Sequence, residues 1–121
     1  MRASGIAFLV FLLIGCGRKE VSYRNDIQPL LNNRCVQCHG AENPAAKVTL
    51  TSYESLMSST VTRWKKPVVV AGDPSDSWLY LRTGTTQPHF RMPPDTLSVV
   101  PLTEKEIEMI GMWIQQGAKN N

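Results

Sequence analysis

The stretch Cys35-Val36-Gln37-Cys38-His39 constrains this chain more than any other. Residues three apart lie on one face of a helical turn. Both thiols therefore point the same way, and the imidazole follows directly after the second. This spacing reads as a c-type haem attachment site. The two sulfurs would form thioethers with the vinyl groups on one edge of a porphyrin. His39 would come up beside the iron as an axial ligand.

With 121 residues the chain suits one domain of ordinary size with a modest core, to which a haem would add a large apolar body. The formal charge is +3, and the charged residues alternate in sign without a long run, so nothing points to nucleic acid. Haem propionates would bring the net charge closer to zero. The chain has three cysteines, an odd number, and the haem motif leaves Cys16 over.

The amino terminus gives Cys16 a separate role. Residues 1–15 read as an export signal. Arg2 supplies a minimal basic region, and Ile6 to Ile14 is an unbroken apolar run. That run is far short of the ~20 residues that span a bilayer. It ends at Leu13-Ile14-Gly15-Cys16, which resembles a bacterial lipoprotein signal. Cleavage would leave Cys16 as a lipid-bearing first residue, and several acyl chains give a stable membrane anchor. Residues 16–22 read as a tether and residues 23–121 as the folded domain. An ordinary signal followed by an incidental cysteine is the plainer alternative. The expected location is the bacterial cell envelope on the periplasmic side, with the outer membrane favoured because Gly17 rather than Asp follows Cys16.

Within the domain, Asp26 is the expected N-cap of a first helix, with Pro29 in its first turn and Ile27, Leu30 and Leu31 as its apolar stripe. That stripe leads straight into Cys35. Thr51 to Glu54 fits a capping box for a short helix to about Ser58. Thr60 to Val70 is ambiguous: Val68 to Val70 could be an extended segment, but Pro67 and Gly72 flank it closely. Asp73-Pro74-Ser75-Asp76 predicts a helix start, with Trp78, Leu79 and Leu81 along it and Gly84 at its end. Three prolines between Thr85 and Val100 predict a long irregular loop. Thr103 with Glu106 makes a second capping box, Leu102 and Ile107 a hydrophobic staple, and Ile107, Ile110, Trp113 and Ile114 an apolar face that ends at Gly117.

A haem that moves electrons without binding a substrate needs a second axial ligand. Met57, Met92, Met109 and Met112 are the methionines after Cys16, and His89 is the other histidine. Met57, Met109 and Met112 sit on expected helices, where methionine usually fills core. Met92 stands in Arg91-Met92-Pro93-Pro94, where consecutive prolines restrict the backbone, and His/Met ligation raises the haem potential. Met92 is therefore the expected distal ligand, with His89 or an open site as alternatives. Arg91, Arg82, Trp64 and Lys65 are candidates to pair with the propionates, Lys65 more plausibly as plain surface charge. A structural zinc site would need about four ligands, and no second close pair exists. A thioredoxin-like pair would want a βαβ unit, and a disulfide remains open to an exported chain.

These pieces resemble a class I mono-haem cytochrome c, more narrowly the small planctomycete-type cytochrome c domains. The resemblance rests on Cys35 to Gly40, Tyr23 to Leu31, Gly72 to Ser77, Arg91 to Pro94, and Leu102-Thr103 through Trp113-Ile114 to Gly117-Ala118. It implies an all-α fold of three to five helices and long loops around one haem c. It also implies that the first and last helices cross beside the haem, with Gly111 and Trp113 at the crossing. Carried over residue by residue, it makes Cys35 and Cys38 the thioether cysteines, His39 the proximal ligand and Met92 the distal one.

The expected function is an exported, lipid-anchored, monomeric electron carrier rather than an enzyme, with redox proteins as partners and Cys16 holding it to a membrane. Two other classes remain: a haem sensor with a displaceable distal ligand, and a non-haem surface lipoprotein with a structural Cys/His site.

Overall fold

The first helix begins earlier than Asp26. In the computed structural model, which describes residues 17–121, Ser22 is the cap. Its Oγ accepts the Asn25 N–H, and the Asp26 carboxylate accepts the Ser22 N–H at 2.8 Å. Asp26 thus closes the cap from inside the first turn. That turn, Tyr23–Ile27, is a π turn, in which the N–H groups of Ile27 and Gln28 bond back five residues to Ser22 and Tyr23. It runs directly into α1, Gln28–Arg34, with Pro29 near the junction where its missing N–H breaks little. The export signal and Cys16 lie outside the described residues.

α2, Tyr53–Ser58, starts one residue later than expected: Ser52 and Ser55 form the capping box, not Thr51 and Glu54. The chain then makes a two-stranded antiparallel hairpin, β1 (Thr60–Val61) with β2 (Lys66–Pro67). The protein is therefore mostly helical rather than all-α. The hairpin turn was hidden because Lys65, not glycine, takes its left-handed position at φ 51°. Val68 and Val69 follow as buried core residues.

Asp73 caps as expected, but the helix it starts is interrupted. Pro74–Asp76 is a short 3₁₀ turn, and α3 covers Trp78–Gly84. Ser77 makes the break. It is fully buried and its backbone is extended (φ −92°, ψ 113°). Its Oγ accepts the Val70 N–H at 2.8 Å and lies 2.7 Å from the Asp73 carbonyl, to which it can donate. Ser77→Ala would leave the half-buried Val70 amide without that partner, so we expect a loss of about 1–3 kcal/mol, read as a lower midpoint of thermal unfolding.

α4, Glu104–Gln115, has the expected Thr103–Glu106 capping box. Its Ile110, Trp113 and Ile114 are fully buried. They meet Ile27, Leu31 and Leu56 in one core. The two residues expected at a single helix crossing serve different neighbours. Trp113 packs on the π turn, its ring 5.6 Å from that of Tyr23. Gly111 serves α3, because a Cβ there would stand 2.7 Å from Tyr80 Cε2. The glycine lets α4 approach α3 as well as the first helix. After α4, Gly117 turns the chain at φ 103°, and the carboxy-terminal residues tie to the start of the domain. Arg24 N–H donates to the Asn121 carbonyl at 3.0 Å, and Tyr23 N–H to the Asn121 side chain at 2.8 Å.

Candidate haem site

α1 delivers the cysteine motif as its stripe predicted. The Cys35 and Val36 N–H groups both reach back to the Leu31 carbonyl, at 2.8 and 3.0 Å. The Cys38 and His39 N–H groups then fold onto the Cys35 carbonyl, at 3.1 and 2.9 Å. The motif is thus a continuation turn of the helix, with Cys35 half-buried, Cys38 exposed, and both thiols free.

The loop after the motif holds the imidazole. Leu50 N–H donates to the His39 carbonyl at 2.9 Å, and Ala45 N–H to the Cys38 carbonyl at 2.8 Å. His39 Nδ1 lies 3.1 Å from the Val48 carbonyl. A carbonyl only accepts, so Nδ1 carries the proton and Nε2 keeps its lone pair. A backbone carbonyl partner of this kind fixes the tautomer and orientation of a ligating histidine. Val48 was not foreseen, because the contact uses its backbone and no side-chain type marks it.

His39 opens into a cleft that Met92 also lines. Between them the walls are Cys35, Val48, Leu50, Val61, Val68 and Leu79, with the indoles of Trp64 and Trp78. Met92 reaches the cleft because its loop is pinned to the end of α3: the Met92 N–H donates to the Arg82 carbonyl at 2.8 Å, and Pro93 behind it is buried. The Phe90 and Arg91 N–H groups both bond the Gln87 carbonyl at 3.0 Å, which tightens the approach to Met92.

The competitors are placed elsewhere. His89 is exposed and not part of the cleft wall. Met57, Met109 and Met112 pack against the hydrophobic core, as expected of helix methionines. Among the described residues no group of three or more His, Cys, Asp or Glu side chains is placed to hold a metal ion. Of the candidates for the propionates, Arg82 and Trp64 line the cleft. Arg91 is engaged with Asp95, and Lys65 stays on the exposed hairpin turn.

A family model described as planctomycete cytochrome C matches residues 35–96, a stretch that runs from Cys35 through the Met92 loop. The chain belongs to this family. Neither a curated protein nor a solved structure matches it. A cytochrome c domain binds haem and carries electrons, and the cleft of this planctomycete-type cytochrome c has the matching chemistry. Its walls are apolar, as a porphyrin face requires. One imidazole nitrogen is left free for a metal, and a thioether shares the same cavity. Arg82 also lines the cleft; its Nε and Nη1 are buried without a hydrogen-bond partner, and its guanidinium lies against the rings of Trp78 and Phe90.

The two cysteines of the motif differ in the haem-free chain. Burial pushes the Cys35 thiol up to about 11. Arg34 pulls it down and Cys38 adds a smaller upward push. The thiolate is the nucleophile, so Cys35 is poorly reactive at neutral pH. In the haem-free folded chain, a limiting amount of iodoacetamide should label exposed Cys38 several-fold ahead of Cys35, measured by peptide mass spectrometry. Equal labelling would contradict the placement of Cys35.

Proposed function

We propose that this cytochrome carries one haem c, attached through Cys35 and Cys38 and ligated by His39 and Met92, and that it shuttles single electrons between redox proteins. One observation carries the reading: His39 and Met92 line one apolar cleft, and the Val48 carbonyl leaves Nε2 of His39 as the free nitrogen. When bound, the haem supplies an iron that alternates between ferrous and ferric. The protein's part is to hold it. Cys35 and Cys38 fix one edge, His39 is oriented by Val48, and the Arg82 carbonyl steadies the Met92 loop. Leu79, Val61 and Val68 line the cleft and would give a bound haem a low-polarity surrounding. With His39 and Met92 both engaged, the chain would carry electrons and turn over no substrate.

The cellular setting follows from the amino terminus. Residues 1–15 act as the export signal, Cys16 takes lipid, and residues 16–22 tether the domain of residues 23–121 to a membrane at the periplasmic side, the outer membrane being favoured. The protein acts as a monomer. The membrane anchor fits the chemistry, since an exported chain meets haem attachment outside the bacterial cytoplasm.

Attachment is tested by denaturing mass spectrometry of the chain expressed with haem-maturation machinery. The expected result is a mass increase of one haem, absent from the Cys35→Ser/Cys38→Ser double variant. A chain that stays at its apoprotein mass would overturn the proposal.

A further inference from the structure

Most of the tether is itself fastened to the fold. Two side-chain amides hold it as a neighbouring strand would, since each amide offers both a donor and an acceptor. Gln116 donates from Nε2 to the Lys19 carbonyl at 3.2 Å and accepts the Val21 N–H on Oε1 at 2.9 Å. Asn121 repeats the pattern two residues on. Its Nδ2 donates to the Val21 carbonyl at 3.2 Å, and its Oδ1 accepts the Tyr23 N–H at 2.8 Å. Between them the Val21 side chain is buried, and Glu20 pairs with Lys119 at 2.7 Å. Residues 19–24 and 116–121 therefore form one clasp, which begins at Lys19. Gly17 and Arg18 before it are exposed.

The clasp shortens the leash. Residues 16–22, fully extended, would reach roughly 25 Å, whereas residues 16–18 reach roughly 10 Å. That shorter reach is close to the Debye length of about 8 Å at physiological ionic strength. Charges on the clasped end thus stay within electrostatic range of whatever holds Cys16.

The clasped end suits a layer of lipid headgroups. Its exposed residues include Lys19, Arg24, Asn25, Lys119 and Asn120, and Arg18 stands beside them. The acids nearby are engaged or set back. Glu20 holds Lys119, Asp26 takes the Ser22 N–H, and Glu104 and Glu108 border a groove on α4 that Arg18 and Lys19 also line. Among the described residues the large exposed apolar side chains are Trp64, Leu81, Phe90, Leu97 and Val100. They lie on the hairpin, α3 and the loop that follows it, and none is on the clasp. This end can therefore rest on headgroups without entering the hydrocarbon. No clasp residue lines the cleft shared by His39 and Met92.

We propose that the clasp seats the domain directly on a phospholipid surface, its Arg24 and Lys119 end towards the headgroup phosphates, and so leaves the haem cleft clear for a redox partner. This assignment rests on the lipid anchor at Cys16 proposed above. It makes the anchor an orienting device as well as a point of attachment.

The test uses the full lipid-bearing, haem-loaded chain on vesicles of phosphatidylcholine and phosphatidylglycerol. With Cys16 acylated and Cys35 and Cys38 in thioethers, Asn120→Cys or Leu97→Cys supplies a single free thiol for a nitroxide label. The readout is relaxation of the label by a nickel-chelating lipid headgroup, with nickel-free vesicles as the baseline. The label at position 120 should relax several-fold more than the label at position 97. A flexible Gly-Ser insert between Arg18 and Lys19, longer than the leash itself, should bring the two towards equality. Equal relaxation without the insert, or an insert that changes nothing, would overturn the proposal. Hydrogen exchange in detergent checks the clasp independently of any membrane. The Val21 and Tyr23 amides should exchange slowly in the wild type, and Val21 several-fold faster in Gln116→Ala. Rapid exchange of Val21 in the wild type would also overturn the proposal, whatever the variant does. A mature chain without lipid on Cys16 is a failure of the anchor reading and removes this proposal with it. A lipid-bearing, vesicle-bound chain with equal relaxation at both positions is a failure of this proposal alone.

Discussion

Trp113→Ala is expected to cost about 3–5 kcal/mol, a large share of the stability of a domain this size. Domains of this size are stable by only about 5–15 kcal/mol. The indole is fully buried and joins three parts of the chain. Its ring packs on Tyr23 of the π turn, and Tyr23 in turn meets Tyr53 of α2 edge-on at 5.1 Å. Its Nε1–H donates to the Lys119 carbonyl at 3.0 Å, and Tyr53 Oη donates to the Ala118 carbonyl at 2.9 Å. Truncation therefore opens a cavity and removes the hydrogen bond to the Lys119 carbonyl. Trp113→Phe separates the two effects, since it keeps most of the packing and loses the hydrogen bond. Denaturant unfolding followed by far-ultraviolet circular dichroism should rank wild type above Trp113→Phe above Trp113→Ala. A Trp113→Ala variant within 1 kcal/mol of the wild type, the scale of an ordinary surface change, would show that α4 does not organise the core.

Met92→Ala should leave the fold and the haem attachment in place and change the electronic character of the site. Met92 is half-buried in a loop, and its backbone bond to the Arg82 carbonyl does not depend on the side chain. Removing the thioether opens the distal position. Axial ligation spans roughly 0.8 V of haem potential, and the methionine end of that range is high. A fall on the order of 0.1 V or more is therefore expected by potentiometric titration, together with ready binding of carbon monoxide to the ferrous form. If the potential and carbon monoxide behaviour match the wild type, the distal ligand is another residue. His89 would then be the next to replace, despite its exposed position.

Much of the site was legible because its signals are local. Cys35, Cys38 and His39 lie within one turn, and the stripe of Ile27, Leu30 and Leu31 pointed to the helix that carries them. Met92 stood out by its prolines and by the helical setting of the other methionines. The Thr103–Glu106 box fixed α4 because both partners are four residues apart or less. Harder features depend on partners distant in sequence or on backbone atoms. The hydrogen bond that orients His39 uses the Val48 carbonyl, which any residue could provide. Ser77 interrupts a helix that its neighbours favour, because Val70 seven residues earlier needs its hydroxyl. The hairpin at Thr60 to Pro67 was missed because Lys65 occupies a position where glycine or asparagine would be the usual sign. The helix start at Ser22 was missed because the π turn shifts the register of the cap. Arg82 was one of several candidates until the fold placed it in the cleft and left its donors unmatched.

The visible spectrum of the wild-type chain, matured with haem, tests the central claim most directly. A Soret band, a sharp α-band on reduction, a sulfur-to-iron band at the red edge of the oxidised spectrum, and indifference to carbon monoxide are the predicted result for a His39/Met92 haem c. No Soret band, or a ferrous spectrum that shifts as soon as carbon monoxide is added, would contradict it.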